Sequence, residues 1–212
     1  MNIWAVVPVK PFNRSKSRLA PVLSGKQREA LSRQMLEQTL RTLSQVKEIN
    51  GILVISRDSA ALSLARQFKA QTVQESGTPE LNEALTRATQ VVEATWNATS
   101  VLVVSSDIPL LRVEDVKGII DLADTVDVVL ATDRRCDGTN LMLIRPPALI
   151  PYRYGQGSFQ RHADEARRVG IEPKIYASPT AALDIDVPAD LDLYREMLIE
   201  RDLKEPAWLQ SA

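Results

Sequence analysis

Residues 3–19 read Ile3-Trp4-Ala5-Val6-Val7-Pro8-Val9-Lys10-Pro11-Phe12-Asn13-Arg14-Ser15-Lys16-Ser17-Arg18-Leu19, an apolar run that gives way at once to a cluster of cations. The run is of strand length and has no polar alternation, which marks a strand buried on both faces. It is too short to span a bilayer and has neither a basic region before it nor a small-residue cleavage site after it. The expectation is a strand in a folded core, with no membrane or export segment.

Working outward, β-rich runs recur at residues 52–55, 70–73, 101–105, 126–131, 141–144 and 171–176. Between them Leu31, Met35, Leu36, Leu40, Leu43 and Val46 follow helical spacing, and Ser24 with Gln27 is placed to form a capping box. Further helices are expected over residues 59–68, 81–94, 113–122, 159–169 and 189–200. Strands alternating with helices predict a single α/β, Rossmann-like domain with a mostly parallel sheet and helices on both faces. There is no internal repeat or low-complexity linker. The reading is one domain over residues 1–200 and a C-terminal tail over 201–212, whose Pro206 and Trp208 are expected either to pack on a neighbouring subunit, as in a homodimer, or to fray.

Composition narrows the function classes. At 212 residues, with 44% hydrophobic and 25% charged side chains, the chain has the make-up of an ordinary soluble protein and enough length for an unstapled core. A formal net charge of -1 supplies no global field for nucleic acid or an acidic membrane, so any anion must be held by a local cluster. The single cysteine, Cys136, cannot form an internal disulfide, and with the lone His162 it makes no zinc-ligand set. A reducing cytoplasm is the expected compartment.

In an open α/β sheet ligands bind outside the carboxyl ends of the strands, so the chemistry is sought in the loops that follow them. Directly after the first strand, Lys10, Arg14, Lys16 and Arg18 place four cations within nine residues. Arginine's forked donors and lysine's mobile point charge suit a triphosphate; a solvated charged loop is the plainer alternative. The segment lacks the glycines of a Walker P-loop or a dinucleotide fingerprint, so phosphate binding here must rest on side chains.

After residues 101–105 come Ser106-Asp107-Ile108-Pro109-Leu110-Leu111. A carboxylate just beyond an apolar strand suits magnesium, which takes one or two carboxylates plus substrate phosphates; it suits equally a cap for the helix at Val113. In Leu183-Asp184-Ile185-Asp186-Val187-Pro188, an extended chain would project Asp184 and Asp186 to one face, where both can meet a metal. The alternative is that Asp186 caps the next helix, with Pro188 in its first turn. The fourth segment is composite: Asp137-Gly138-Thr139-Asn140 before a strand, and YGQGSFQRH at residues 154–162 opening a helix. Hydroxyls and glycine amides at a helix start favour a second phosphate, although glycine-rich turns are also simply turns. His162 is read as a packing or hydrogen-bonding residue with no proton-transfer role.

In their order, PVK...SKSRLAPVLS, Leu81-Asn82-Glu83-Ala84-Leu85, SSDIPLL, GTN, YGQGSFQRH and LDIDVPADL resemble the guanylyltransferases of deazaflavin coenzyme F420 biosynthesis, which activate 2-phospholactate or phosphoenolpyruvate with GTP. The resemblance runs from Ile3 to about Tyr194 and implies a nucleotidyltransferase-type domain, Mg2+, GTP as donor and diphosphate as leaving product. It implies that Asp107, Asp184 and Asp186 hold metal, and that Thr139, Gly155 and Ser158 hold the phosphorylated carboxylic acid. Lys10, Lys16 and Arg18 would face the GTP phosphates, and Asn82 would lie near the nucleotide. Two positions depart from the pattern: Ser106 replaces a small apolar residue, and Asp137 replaces a glycine. Asp137 is expected either to turn outward or to weaken acceptor binding.

The acceptor's phosphate is largely ionised at neutral pH, so it can attack the α-phosphorus of GTP without a protein base. Catalysis would be positioning and electrostatic stabilisation. Two other readings compete: a sugar-nucleotide glycosyltransferase using Asp184-Ile185-Asp186 as a metal-binding motif, and a catalytically silent nucleotide-binding protein.

Overall fold

The apolar run at the N-terminus forms β1 (Ile3–Val9), and its side chains divide between two cores as the period of a strand requires. Ile3, Ala5, Val7 and Val9 enter one cluster, while Trp4 and Val6 enter the other. The computed structural model describes residues 1–77 and 80–204. After β1 come α1 (Gly25–Ser44), β2 (Ile49–Ser56), α2 (Ser59–Gln67), β3 (Gln71–Gln74), α3 (Leu81–Trp96), β4 (Ser100–Val104) and α4 (Val113–Leu122). The remainder is β5 (Val128–Thr132), β6 (Thr139–Ile144), α5 (Ser158–Arg168), β7 (Lys174–Ile175), α6 (Pro179–Ala182) and α7 (Pro188–Glu200).

The strands form one seven-stranded sheet in the order β3-β2-β1-β4-β6-β5-β7. Leu36, Leu40 and Leu43 of α1, with apolar residues of α2 and α4, cover one face, whereas Ala84, Leu85, Ala88 and Val92 of α3 and Ala163 and Ala166 of α5 cover the other. Helices thus lie on both faces of a single domain. Among the described residues, no helix is long and apolar enough to cross a membrane. The tail expected from residue 201 onward, with Pro206 and Trp208, lies outside the described residues from Glu205.

The sheet is mostly parallel, and its exception has a simple cause. β6 runs antiparallel to both β4 and β5, while the other pairings are parallel. Only residues 133–138 separate β5 from β6, and a parallel return needs a crossover of a dozen or more residues. The strand expected over 171–176 shrinks to the exposed pair Lys174–Ile175 at the sheet edge. Pro173 just before it has no N–H for a ladder, which confines the pairing to the residues beyond it. The first strand after α1 begins at Ile49, earlier than its apolar centre suggests.

Capping follows side-chain chemistry. At the start of α1 the Gln27 N–H donates to Ser24 Oγ and the Ser24 N–H donates to Gln27 Oε1 at 2.8 Å. At α4 the Arg112 N–H donates to Asp115 Oδ2 at 3.0 Å, and at α7 the Val187 N–H donates to Asp190 Oδ2 at 2.9 Å. Each of those helices is therefore capped by an aspartate inside its own first turn. Asp107 and Asp186, which the sequence offered as caps, are left for another use.

Candidate active site

Leu19, Leu110, Leu183 and Ile185 join Leu23, Leu31, Met35 and four α7 residues, Leu191, Tyr194, Met197 and Leu198, in a third apolar cluster beneath the strand ends. It draws together the cation-rich loop, the loop after β4 and the Leu183–Asp186 segment. Leu183 and Ile185 are both buried. By the alternation of extended chain, Asp184 and Asp186 are turned the other way. A backbone hydrogen bond from Ile185 N–H to Asp107 O, 3.2 Å, fixes the two acidic segments side by side.

Above this cluster opens a cavity of about 360 Å³. Its walls come from the ends of β1, β2, β3 and β4 and from the facing turns of α1 and α3, and include Lys10, Lys16, Asp107 and Asp186. Lys16 takes a left-handed backbone, φ 55°, unusual for a residue with a side chain. Its Nζ donates to Asp107 Oδ2 at 2.6 Å, and its side chain is only 8% exposed. Arg18 Nη1 meets Asp186 Oδ2 at 2.7 Å in a much more open position, outside the cavity wall. Lys10 lines the cavity and has no ion pair among the described residues, whereas Arg14 and Ser15 complete the cation-loop wall.

Asp184 titrates well above an ordinary aspartate, at about 6. Burial is the main cause and the neighbouring charge of Asp107 the next, with Lys16 opposing. Asp133 adds to the same negative field. Among the described residues, no three His, Cys, Asp or Glu side chains form a group able to hold a metal ion on their own. Asp107 and Asp186 line the cavity and Asp184 does not; Asp184 lies near enough to Asp107 to feel its charge, and Asp186 is paired with Arg18. Two hard-oxygen side chains in mutual repulsion, with substrate phosphates to complete the shell, are what magnesium usually takes. The residues present therefore fit that ion.

Thr139, Asn82, Gly155 and Ser158 do not line this cavity. Thr139 opens β6 and does not precede it, and Ser158 is the first residue of α5. Both are buried. The Thr139 N–H donates to Ser158 Oγ at 3.0 Å, and Thr139 Oγ1 lies 2.9 Å from His162 Nδ1. His162 Nε2 accepts the Arg153 N–H at 2.9 Å, which assigns the ring proton to Nδ1. Burial, with Arg161 nearby, depresses the His162 pKa to about 4, so the ring is neutral and committed at both nitrogens. It joins Thr139 to the Arg153 backbone, in keeping with a hydrogen-bonding role.

Asn82 receives the Tyr154 N–H on Oδ1 at 2.7 Å and returns a bond from Nδ2 to Tyr154 O at 3.3 Å. The amide thus splints the glycine turn to the start of α3. Gly155 at φ 120° is in a region closed to side chains. Asp137 Oδ1 accepts the Gly157 N–H at 3.1 Å. The substituted aspartate therefore occupies one of the donors at the start of α5.

Three residues of the cavity wall are not among those the sequence singled out. Arg57 follows β2 and Glu75 follows β3, and both line the cavity. Their position after a strand end was the available signal. Ser32, a helical residue whose Oγ lies 2.5 Å from Ser15 Oγ, had none.

A mostly parallel sheet, a cavity across its carboxyl ends and cations facing aspartates define an α/β protein of the nucleotidyltransferase type. A candidate nucleotide-diphospho-sugar transferase from Desulfovibrio desulfuricans G20 has the same fold, with a TM-score of 0.76 over 99% of this chain and 94% of that one, at 17% identity. A nucleotidyl transferase from Methanothermobacter gives a TM-score of 0.69 over 94% and 99%, at 16% identity. The chain belongs to the family described as guanylyl transferase, CofC like, whose model matches residues 3–210. It is 33% identical to a phosphoenolpyruvate guanylyltransferase of Conexibacter woesei, over 95% of this chain and 91% of that protein. It is 35% identical to a 2-phospho-L-lactate guanylyltransferase of Methanothermobacter thermautotrophicus, over 90% and 83%.

Proposed function

We propose that this protein transfers the guanylyl group of GTP to a small phosphorylated carboxylic acid, releasing diphosphate, as a step of coenzyme F420 biosynthesis. The observation that carries the reading is the Lys16–Asp107 pair on the cavity wall, a phosphate-seeking cation held at 2.6 Å from a metal-seeking carboxylate. Family membership supports the reaction class, since the relatives named above are guanylyltransferases.

Lys10, Lys16 and Arg18 would bind the triphosphate, with Lys16 already nearest the acidic pair. Mg2+ would be held by Asp107 and Asp184, with Asp186 as the third candidate, and would supply neutralisation of phosphate charge. Thr139, Gly155 and Ser158 are proposed for the acceptor's phosphate. The Thr139 and Ser158 hydroxyls bond within the protein, so acceptor binding would exchange those contacts for charged ones. A phosphate oxygen of the acceptor attacks the α-phosphorus, the bond from that phosphorus to the leaving diphosphate breaks, and no proton need be taken by the protein. His162, neutral and bonded at both nitrogens, has no part in it.

Phosphoenolpyruvate is the proposed acceptor, with 2-phospholactate and 3-phosphoglycerate as the alternatives. The test is incubation of the purified protein with GTP, magnesium and each acid in turn, with diphosphate release and the product mass measured. Absence of diphosphate with all three acids removes the reading; a lactyl or glyceryl product replaces only the acceptor.

A further inference from the structure

The sheet order places the ends of β3, β2, β1 and β4 in a row, so Glu75, Arg57, Lys10 and Asp107 follow one another along a single cavity wall. Three inter-strand steps separate the first from the last, roughly 14 Å. The phosphate-binding cations and the acidic pair occupy the β1–β4 end. The other end is different in kind: Ile55, Leu81 and Ala84 offer apolar surface, and Glu75 stands among them.

Glu75 Oε1 is buried and has no hydrogen-bond partner among the described residues. The residue's backbone is fixed, its N–H donating to Ser56 O at 3.0 Å as a continuation of the β2–β3 pairing. Arg57 and Arg87 are the cations whose charge reaches it, but Arg57 Nη1 is turned to Gly77 O at 2.8 Å. A buried acceptor left without a donor is costly, and in a cavity wall it is an acceptor kept for a ligand. A carboxylate repels phosphate, so the ligand group must be a hydrogen-bond donor, and the apolar surface of Ile55, Leu81 and Ala84 beside it suits the N–H edge of a flat base better than a sugar hydroxyl. Of the common bases only guanine presents two adjacent donors, N1–H and the exocyclic amine, on one edge. Adenine and cytosine pair one donor with an acceptor, and uracil flanks its N–H with two carbonyls.

We infer that Glu75 reads the nucleobase, its carboxylate accepting the N1–H and exocyclic amine of guanine while the base lies against Ile55, Leu81 and Ala84. The inference rests on the guanylyl-transfer reading above and adds the residue that makes the donor GTP. Spacing agrees with it, because the nucleoside then bridges the cavity from Glu75 to the cation loop.

The test is the isosteric variant Glu75→Gln, titrated calorimetrically without acceptor against GTP, xanthosine triphosphate and inorganic triphosphate. Xanthine has a carbonyl where guanine has the amine. A glutamine amide can donate to that carbonyl and accept from N1–H, whereas a carboxylate cannot. The wild type should prefer GTP over xanthosine triphosphate by about ten-fold or more, the size of a hydrogen bond to a charged group, and Glu75→Gln should reverse the order. Inorganic triphosphate should bind both proteins alike, which reports an intact fold. An unchanged preference for GTP in the variant overturns the inference and leaves guanylyl transfer standing. If the variant loses inorganic triphosphate too, the wild type decides alone: inosine triphosphate, which lacks the amine, must bind about ten-fold weaker than GTP, and equal binding overturns the inference. A wild type that binds no GTP removes both readings together.

Discussion

Lys16 Nζ and Asp107 Oδ2 stand 2.6 Å apart although their residues are 91 positions apart in the chain, and the lysine side chain is almost wholly enclosed. Removing one member of an enclosed pair leaves the other charge uncompensated. Lys16→Ala should therefore weaken GTP binding or turnover by about ten-fold or more while acceptor affinity changes little. Normal GTP kinetics with lost acceptor binding would assign the loop to the other substrate.

Asp107→Asn keeps the shape of the site and removes the charge proposed to hold magnesium. Turnover should fall by about two orders of magnitude or more, as when an electrostatic group acting on the transition state is lost. The fold should stay intact, because α4 is capped by Asp115 and not by Asp107. Near-normal turnover in this variant, or in excess chelator, would sink the metal assignment.

Ser158 carries two duties that one substitution separates. Its Oγ accepts the buried Thr139 N–H, so Ser158→Ala should cost about 1–3 kcal/mol of stability by leaving that donor unmet. If Ser158 also binds the acceptor's phosphate, the acceptor Michaelis constant should rise about ten-fold while that for GTP moves little. A rise in both constants together would show that Ser158 shapes the site without touching the phosphate.

His162 predicts an acid-labile fold. Its folded pKa, about 4, lies below the ordinary histidine value of 6.5, chiefly through burial. The unfolded chain then binds the extra proton between those values, so unfolding free energy rises with pH across that window. Stability is complete above pH 6.5 and is lost as the pH falls towards 4, by about 3 kcal/mol at most. Denaturant midpoints measured from pH 7 to pH 4 should show this slope, and His162→Asn should flatten it. An equal slope in the variant would place the acid sensitivity elsewhere.

The strand–helix alternation, the capping box of Ser24 and Gln27 and the positions of Lys16 and Asp107 all follow from local pattern, because burial period and side-chain chemistry act over a few residues. The reversal of β6 was also encoded, in the short link from Asp133 to Gly138. What local pattern cannot convey is a partner distant in sequence. Nothing near Asp184 announces that Asp107 will face it, and nothing near Asn82 announces the turn at Tyr154. The choice between cap and ligand for Asp186 depended on Asp190, whose two backbone bonds appear only once α7 is in place.

The third apolar cluster joins Leu19, from the first tenth of the chain, to Ile185 and the α7 residues Leu191 and Met197 near the other end. Contacts of such separation form late, since a long loop must close before they add any stability. During synthesis the sheet can pair from β1 to β6 while the cation loop and Asp184 are still strangers to each other. On the proposed function, competence to bind the nucleotide would arrive only when α7 docks, and a chain that ends short of α7 should not bind GTP.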